Sequence, residues 1–213
     1  LFSKTAKYAE LIDLYTDMAN NGHDRLDGQS VNPENVFSQV QMVGYRKPVK
    51  EILQHFNCST ALDYGAGGGH WDQVEVPEGG SLKSYFGFDT INRFEPARGV
   101  EGKIKSDVVL CFDVLEHIFM ADIPYVVDEL FRLANQLVIV NIACYSAAAL
   151  LPNGENAHIS VRPGEWWVGV FDTIGTLYPD IAYTVYTSDA HNKSAYHGVR
   201  RAQNVIDRDG YVR

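Results

Sequence analysis

Cysteine is scarce in this chain, with three residues in 213, at Cys58, Cys111 and Cys144. An odd number without metal-ligand spacing excludes a disulfide scaffold and a thiolate metal knuckle. Cys111 and Cys144 fall in or beside apolar runs, where a thiol packs as a small hydrophobe. Reduced thiols, a cytoplasmic setting and no bound metal are therefore expected. Positive charge is also in deficit: 18 Lys and Arg face 27 Asp and Glu, for a net charge of −9. Nucleic-acid affinity rests largely on cations that neutralise phosphates. The balance thus weighs against DNA or RNA as a partner, and no basic pair stands out before Arg200 and Arg201. No apolar run approaches the roughly 18 residues of a membrane span, and no signal-peptide pattern opens the chain. The first residue is Leu1 rather than methionine, which leaves the natural start open. Internal repeats and low-complexity tracts are absent from the sequence.

What is present is core-forming material. Hydrophobic residues make up 46% of the chain, ample for one domain spanning residues 1–213. A helical N-terminal segment, 1–57, is expected to precede an alternating α/β body, 58–213. Apolar spacing predicts helices over 5–20 and 34–55, the second interrupted around Gly44 to Pro48. Strands are expected near 60–64, 84–89, 107–112, 136–142, 181–188 and 194–201. Helices near 70–75, 121–134 and 163–178 would fill the connections.

The stretch Ala61 to His70, ALDYGAGGGH, carries the most chemistry. An apolar run closes on Asp63, and alternate glycines follow at Gly65, Gly67 and Gly69, with Ala66 between the first two. This reads as a strand turning sharply into a helix, whose free N–H groups would face a ligand. A pyrophosphate is normally cradled at such a turn, and the Asp63 carboxylate would repel it while suiting an ammonium group. That points to S-adenosylmethionine rather than NAD.

Two further segments follow in order. SLKSYFGFDT, residues 81–90, reads as a second strand closing on Asp89, about 20 residues after Gly69, the spacing at which an acid meets a ribose. The alternative for Asp89 is a surface acid or helix cap. SDVVLCFDVLEHI, residues 106–118, opens with the continuous apolar run of a strand buried on both faces, and Asp113 lies where it emerges. Few residues separate Asp89 from Asp107, so INRFEPARGVEGKIK is expected to be a short loop with the third strand reduced or lost. Phe94 or a neighbour in that loop could cover a base.

The pattern resembles motif I of the class I S-adenosylmethionine-dependent methyltransferases. With DVLEHI and the later LPNGENAH run, it is similar to a group of small bacterial and phage-like members over about residues 30–175. The loop departs from that group in reading GAGGGH, where a basic residue is expected between the last two glycines. The resemblance implies a Rossmann-like α/β fold with a mostly parallel central sheet, a C-terminal antiparallel strand and an N-terminal helical lid that includes Tyr15 and Tyr45. It implies S-adenosylmethionine as cofactor, with Phe112 and Asp113 bordering its methionine end, and a small-molecule or sugar-like acceptor.

Methyl transfer asks the protein to align a nucleophile, exclude water and, for a hydroxyl acceptor, remove a proton. His158, after the fifth strand, reads either as that base or as a histidine fastening its loop. His117 reads first as a packed or capping residue. Glu155 and Asn156 are candidates to orient a substrate, and Arg162 either clamps an anionic group or pairs with a nearby acid. Trp166 and Trp167 sit just inside a helix that Pro163 would start, one packed and one facing the pocket. A non-catalytic S-adenosylmethionine-binding protein and a nucleic-acid methyltransferase are the alternatives to this enzyme. A nicotinamide oxidoreductase fits Asp63 and DVLEHI less well.

Overall fold

The computed structural model describes residues 2–37, 42–190 and 193–201. Helix α1, Lys7–Asn21, is followed by a small hairpin of β1, His23–Asp24, and β2, Ser30–Val31. Helix α2 spans Met42–Phe56 and runs through Pro48 without a break. Residues 38–41 of the expected second helix lie outside the described residues. The body continues with β3, Thr60–Tyr64; α3, Leu82–Phe86; β4, Thr90–Glu95; and β5, Val100–Glu101. Then come β6, Ser106–Phe112; α4, Ile123–Leu133; β7, Ala134–Ala143; α5, Gly164–Gly175; β8, Ala182–Ala190; and β9, Lys193–Arg200.

Seven of these strands form one sheet in the order β5-β4-β3-β6-β7-β8-β9. The five inner strands are parallel, and short β5 and longer β9 close the two edges antiparallel. This is an α/β, Rossmann-like architecture with a C-terminal antiparallel strand. The continuous apolar runs arise because both sheet faces are covered. Val109, Cys111, Val138 and Val140 face a layer containing α1, α4 and α5, where Leu11, Leu130, Trp167 and Phe171 are buried. Val108, Leu110, Leu137 and Ile139 face the opposite layer of α2 and α3, with Leu53, Leu82 and Phe86. Helix α1 joins the first layer through Tyr8, Leu11, Tyr15 and Met18, the single apolar stripe of a surface helix. No helix among the described residues is long and apolar enough to cross a membrane. All three cysteines are free.

Three sequence expectations are corrected. The strand over 84–89 is instead α3, whose Ser81 side chain accepts from Ser84 N–H at 3.2 Å and whose end is Gly87 in the left-handed region. Both are helix-boundary signals that the aromatic content obscured. The helix near 70–75 is a series of turns, with Trp71 and Val76 buried against α3. The supposed loop INRFEPARGVEGKIK carries β4, a 3-10 turn at Pro96–Arg98, and β5. The third-strand region is thus reduced to a two-residue antiparallel edge.

A buried ionic knot joins the sheet to α4. Glu129 accepts from Tyr64 Oη at 2.6 Å, Tyr125 Oη at 2.9 Å and Lys103 Nζ at 2.6 Å. Burial alone would raise its pKa, but Lys103 and the two phenols outweigh it and hold the carboxyl below its usual 4.5. A depressed folded value means stabilisation present above pH 4.5 and lost as pH falls through the folded pKa. Glu129→Gln should therefore lower the urea midpoint at neutral pH and flatten its decline in acid. An unchanged acid limb in the variant would show that another carboxylate controls it.

Candidate active site

A cavity of about 1530 Å³ opens at the carboxyl ends of the parallel strands. From β3 the chain steps to β4 on one side and then crosses to β6 on the other, so the β3–β6 boundary is the switch point of the sheet. Ligands of open α/β sheets bind outside that point, and residues from the ends of β3, β4, β6, β7 and β8 line the cavity. Helix α1 and the start of α2 roof it through Tyr15, Met18, Met42 and Tyr45. Tyr45 stacks edge-on to Phe112 and Tyr186 and bonds Ser188 and Ser194.

The glycine turn is built by close approach. Gly65 has φ +80°, and a Cβ there would stand 2.2 Å from Val114 Cγ2. Gly67 has φ +52°, with the Phe37 carbonyl oxygen 2.6 Å from the place of its Cβ. The turn's amides are already used. Gly65 and Ala66 N–H both donate to the Phe94 carbonyl at 2.8 and 3.0 Å, and Gly68 N–H donates to Phe37. Gly67 N–H donates to Glu95 at 2.9 Å. No helix follows the turn, so the free helix N-terminus anticipated from the sequence is absent among the described residues. Asp63, Gly65, Ala66 and Gly67 line the cavity, whereas buried Gly69 does not.

Two acids face the ligand side of this turn. Asp63 accepts from Trp71 Nε1 at 2.7 Å, and burial pushes its carboxyl up to about 6 despite that bond and the nearby Arg93. Glu95 closes β4, is 9% exposed, and accepts from both Gly67 and Ala97 N–H. Burial raises its pKa too, against those two bonds. Asp89 is the corresponding correction: it precedes β4, is exposed, and its N–H donates to Ser59 at the start of β3. It lies at the opposite end of the strands from the cavity. The strand begins after Asp89 rather than ending there, and the acid that closes it is Glu95. Phe94 is a core residue packed on Tyr64, with Lys103 Nζ 4.0 Å from its ring centre.

A second polar cluster forms where β6 ends. Phe112 and Asp113 line the cavity. Asp113 takes φ +61°, a left-handed conformation that reverses the chain, and its N–H donates to Asn141 at 3.0 Å. The turn Leu115–His117 follows, with Glu116 fully buried. Glu116 Oε1 accepts Ala143 N–H at 2.6 Å, while Oε2 is buried with no hydrogen-bond partner among the described residues. Burial and the adjacent Asp113 carboxylate push the Glu116 carboxyl well up. His117 packs edge-on to His158, their ring centres 4.7 Å apart. Burial, then His158, lowers the His117 pKa to about 4, so its ring is neutral at neutral pH.

The loop after β7 delivers His158. Ser160 fastens it to the turn, through N–H to Glu116 O at 2.9 Å and Oγ to Ile118 O at 2.6 Å. Asn156 clamps it from within: Oδ1 accepts from Ala147 N–H and His158 N–H, and Nδ2 donates to Ala147 O. Asn156 therefore positions His158 and is not among the cavity-lining residues. Glu155 is exposed in a turn with Asn153, and Arg162 is exposed over Val161 O and Met120 Sδ. Trp166 packs edge-on to buried Trp167, and neither lines the cavity. Glu155, Asn156, Arg162 and Trp166 are thus set apart from the site expected to contain them. Of this stretch of the loop, Ala157 and His158 line the cavity, and the residues flanking them do not.

No protein-family model matches this chain, and no curated protein matches it.

Gly65→Ala should destabilise the fold by about 2–4 kcal/mol, from the positive φ together with overpacking against Val114. Adding Val114→Ala should recover the overpacking part and leave the backbone part. Thermal denaturation of the three variants checks this, and equal stability of Gly65→Ala and wild type would remove the close approach.

Proposed function

We propose that this chain is an S-adenosylmethionine-dependent methyltransferase acting on a small-molecule or sugar-like acceptor and releasing S-adenosylhomocysteine. The observation that carries the proposal is the pairing of Glu95 with a glycine turn whose amides are spent on Phe94 and Glu95. A turn in that state has no N–H array for a diphosphate, while Asp63 and Glu95 present carboxylates to the cavity. A ligand with hydroxyls at one end and an ammonium at the other suits that surface. Glu95 would accept the ribose hydroxyls with lone pairs left over from Gly67 and Ala97. Asp63 would face the ammonium, and Phe112 with Asp113 would border the reacting end.

The cofactor supplies a methyl group already activated on a sulfonium. With the cofactor bound, an acceptor lone pair would take the methyl as the carbon–sulfur bond pair stays with sulfur, and the acceptor would give up a proton. The protein's part is to place the acceptor beside Asp113, His117 and His158, exclude water under α1 and Tyr45, and receive the proton there. The roof of α1 and Tyr45 over the cavity favours a small acceptor. The net charge of −9 gives no attraction to a polyanion.

Calorimetric titration with S-adenosylmethionine, S-adenosylhomocysteine and NAD tests the reading. Micromolar binding of the first two without NAD is expected; NAD alone would move the chain to the oxidoreductases. Glu95→Gln should weaken S-adenosylmethionine by about 1–3 kcal/mol, whereas Asp89→Asn should leave it unchanged. The reverse pattern would return the ribose to Asp89. Once an acceptor is found, His158→Ala should cut turnover by about 10²–10⁴ with cofactor affinity retained. Binding without turnover across a broad acceptor screen would instead leave a non-catalytic binding protein.

A further inference from the structure

We infer that Asp113, Glu116, His117 and His158 form a binding site for one divalent transition cation of the Mn2+, Co2+ or Zn2+ class. Each offers one ligand atom, and the four atoms all lie within 4.8 Å of one another. Around an ion at about 2.1 Å, adjacent ligands stand about 3.0–3.4 Å apart and opposite ones about 4.2 Å, so the widest pairs must close by about 0.6 Å or more. The four come from two segments that the fold holds together, the turn after β6 and the fastened loop after β7.

Glu116 supplies an independent argument. One of its carboxylate oxygens belongs to the cluster, and its Oε2 is buried with no hydrogen-bond partner among the described residues. Its neighbour there is another carboxylate, so the pair needs either a shared proton or a cation between them. Both histidines are preset for the second choice. His158 Nδ1 lies 2.5 Å from Tyr145 O, and His117 Nδ1 lies 3.0 Å from Ala157 O. A carbonyl only accepts, so His158 carries a proton on Nδ1 and its Nε2 lone pair is left for a metal. His117 Nδ1 also meets Tyr15 Oη at 2.8 Å, and with that hydroxyl donating to Ala157 O the His117 ring donates from Nδ1 as well. This is the outer-shell arrangement that orients ligating histidines. Tyr15 Oη, donating to the same Ala157 carbonyl at 2.8 Å, braces it. Two imidazoles with two carboxylates suit Mn2+, Co2+ or Zn2+ better than the all-oxygen preference of Mg2+.

On the methyltransferase reading, and resting on it, open positions of the ion would face the acceptor and bind it through oxygen. The bound ion would acidify a hydroxyl. His158 would then hold the ion rather than take the proton itself.

The test is binding of Mn2+ to chelator-treated full chain without cofactor, read from the loss of the free Mn2+ paramagnetic signal and from the thermal midpoint. One Mn2+ per chain at micromolar concentration and a raised midpoint are expected. Glu116→Gln keeps the acceptor for Ala143 N–H and can donate to Asp113, so it should fold at least as well without metal. It should lose about 100-fold or more in Mn2+ affinity, along with the midpoint shift. His158→Ala should lose affinity similarly, and the exposed control Glu155→Gln should not. Co2+ should give an absorption spectrum with nitrogen ligation that His158→Ala alters. Undiminished binding in both site variants, or no binding of Mn2+, Co2+ or Zn2+ to folded wild type, would overturn the site. Metal binding without S-adenosylmethionine binding would sink the cofactor reading alone, and the converse would sink only this one.

Discussion

The Phe94 carbonyl is the point on which the cavity depends. By accepting Gly65 and Ala66 N–H together, it ties the last residues of β4 to the turn that leaves β3. That pair of hydrogen bonds requires the chain to reverse at Gly65, where Val114 leaves no room for a side chain. It also sets Glu95, one residue on, under Gly67 N–H. Two neighbouring strand ends, their turn and an acid are thereby locked into one geometry. The same bonds consume the amides that an anion would have used.

The charge arrangement follows from that constraint. Asp63, Glu95, Asp113 and Glu116 are gathered around one end of the sheet in a chain that already carries net negative charge. Each buried acid is offset locally: Asp63 by Trp71, Glu95 by two backbone N–H groups, Glu116 by Ala143 N–H. Glu129, by contrast, sits away from the cavity with Lys103 and two phenols and is depressed rather than raised. Among the described residues, Glu116 Oε2 is the buried carboxylate oxygen left without a hydrogen bond. Partly satisfied buried carboxylates favour a cationic or hydroxylic ligand.

The polar end of the cavity depends on loop clamps. The segment after β7 has no regular structure, yet Asn156, Ser160 and the bridge of Leu150 to Asn156 bond it to itself and to the turn after β6. Tyr15, from a helix at the start of the chain, reaches both Ala157 O and the His117 ring. The N-terminal segment therefore serves as more than a cover. It bonds to Ala157 and His117, which line the cavity.

Much of the frame was legible from local pattern. The runs at Leu62, Val108–Phe112 and Leu137–Ile142 announce strands buried on two faces, and the spacing of Tyr8, Leu11, Tyr15 and Met18 announces α1. Gly65 and Gly67 announce a turn, and Asp113 the end of a strand. These are decided by neighbours within a few residues, which is why the sequence alone determined them. Placing a strand end one segment too early put the strand-closing acid at Asp89 instead of Glu95, since period and composition do not mark boundaries sharply. The grouping of Glu116 with Asp113 and the two histidines carried no local sign, because a buried glutamate in a short turn looks like any helix-start acid. Its meaning comes from Asp113, His117 and a His158 that is 42 residues away in sequence. Only the tertiary structure decided that meeting, because convergence depends on strand order and loop fastening, which no residue encodes by itself.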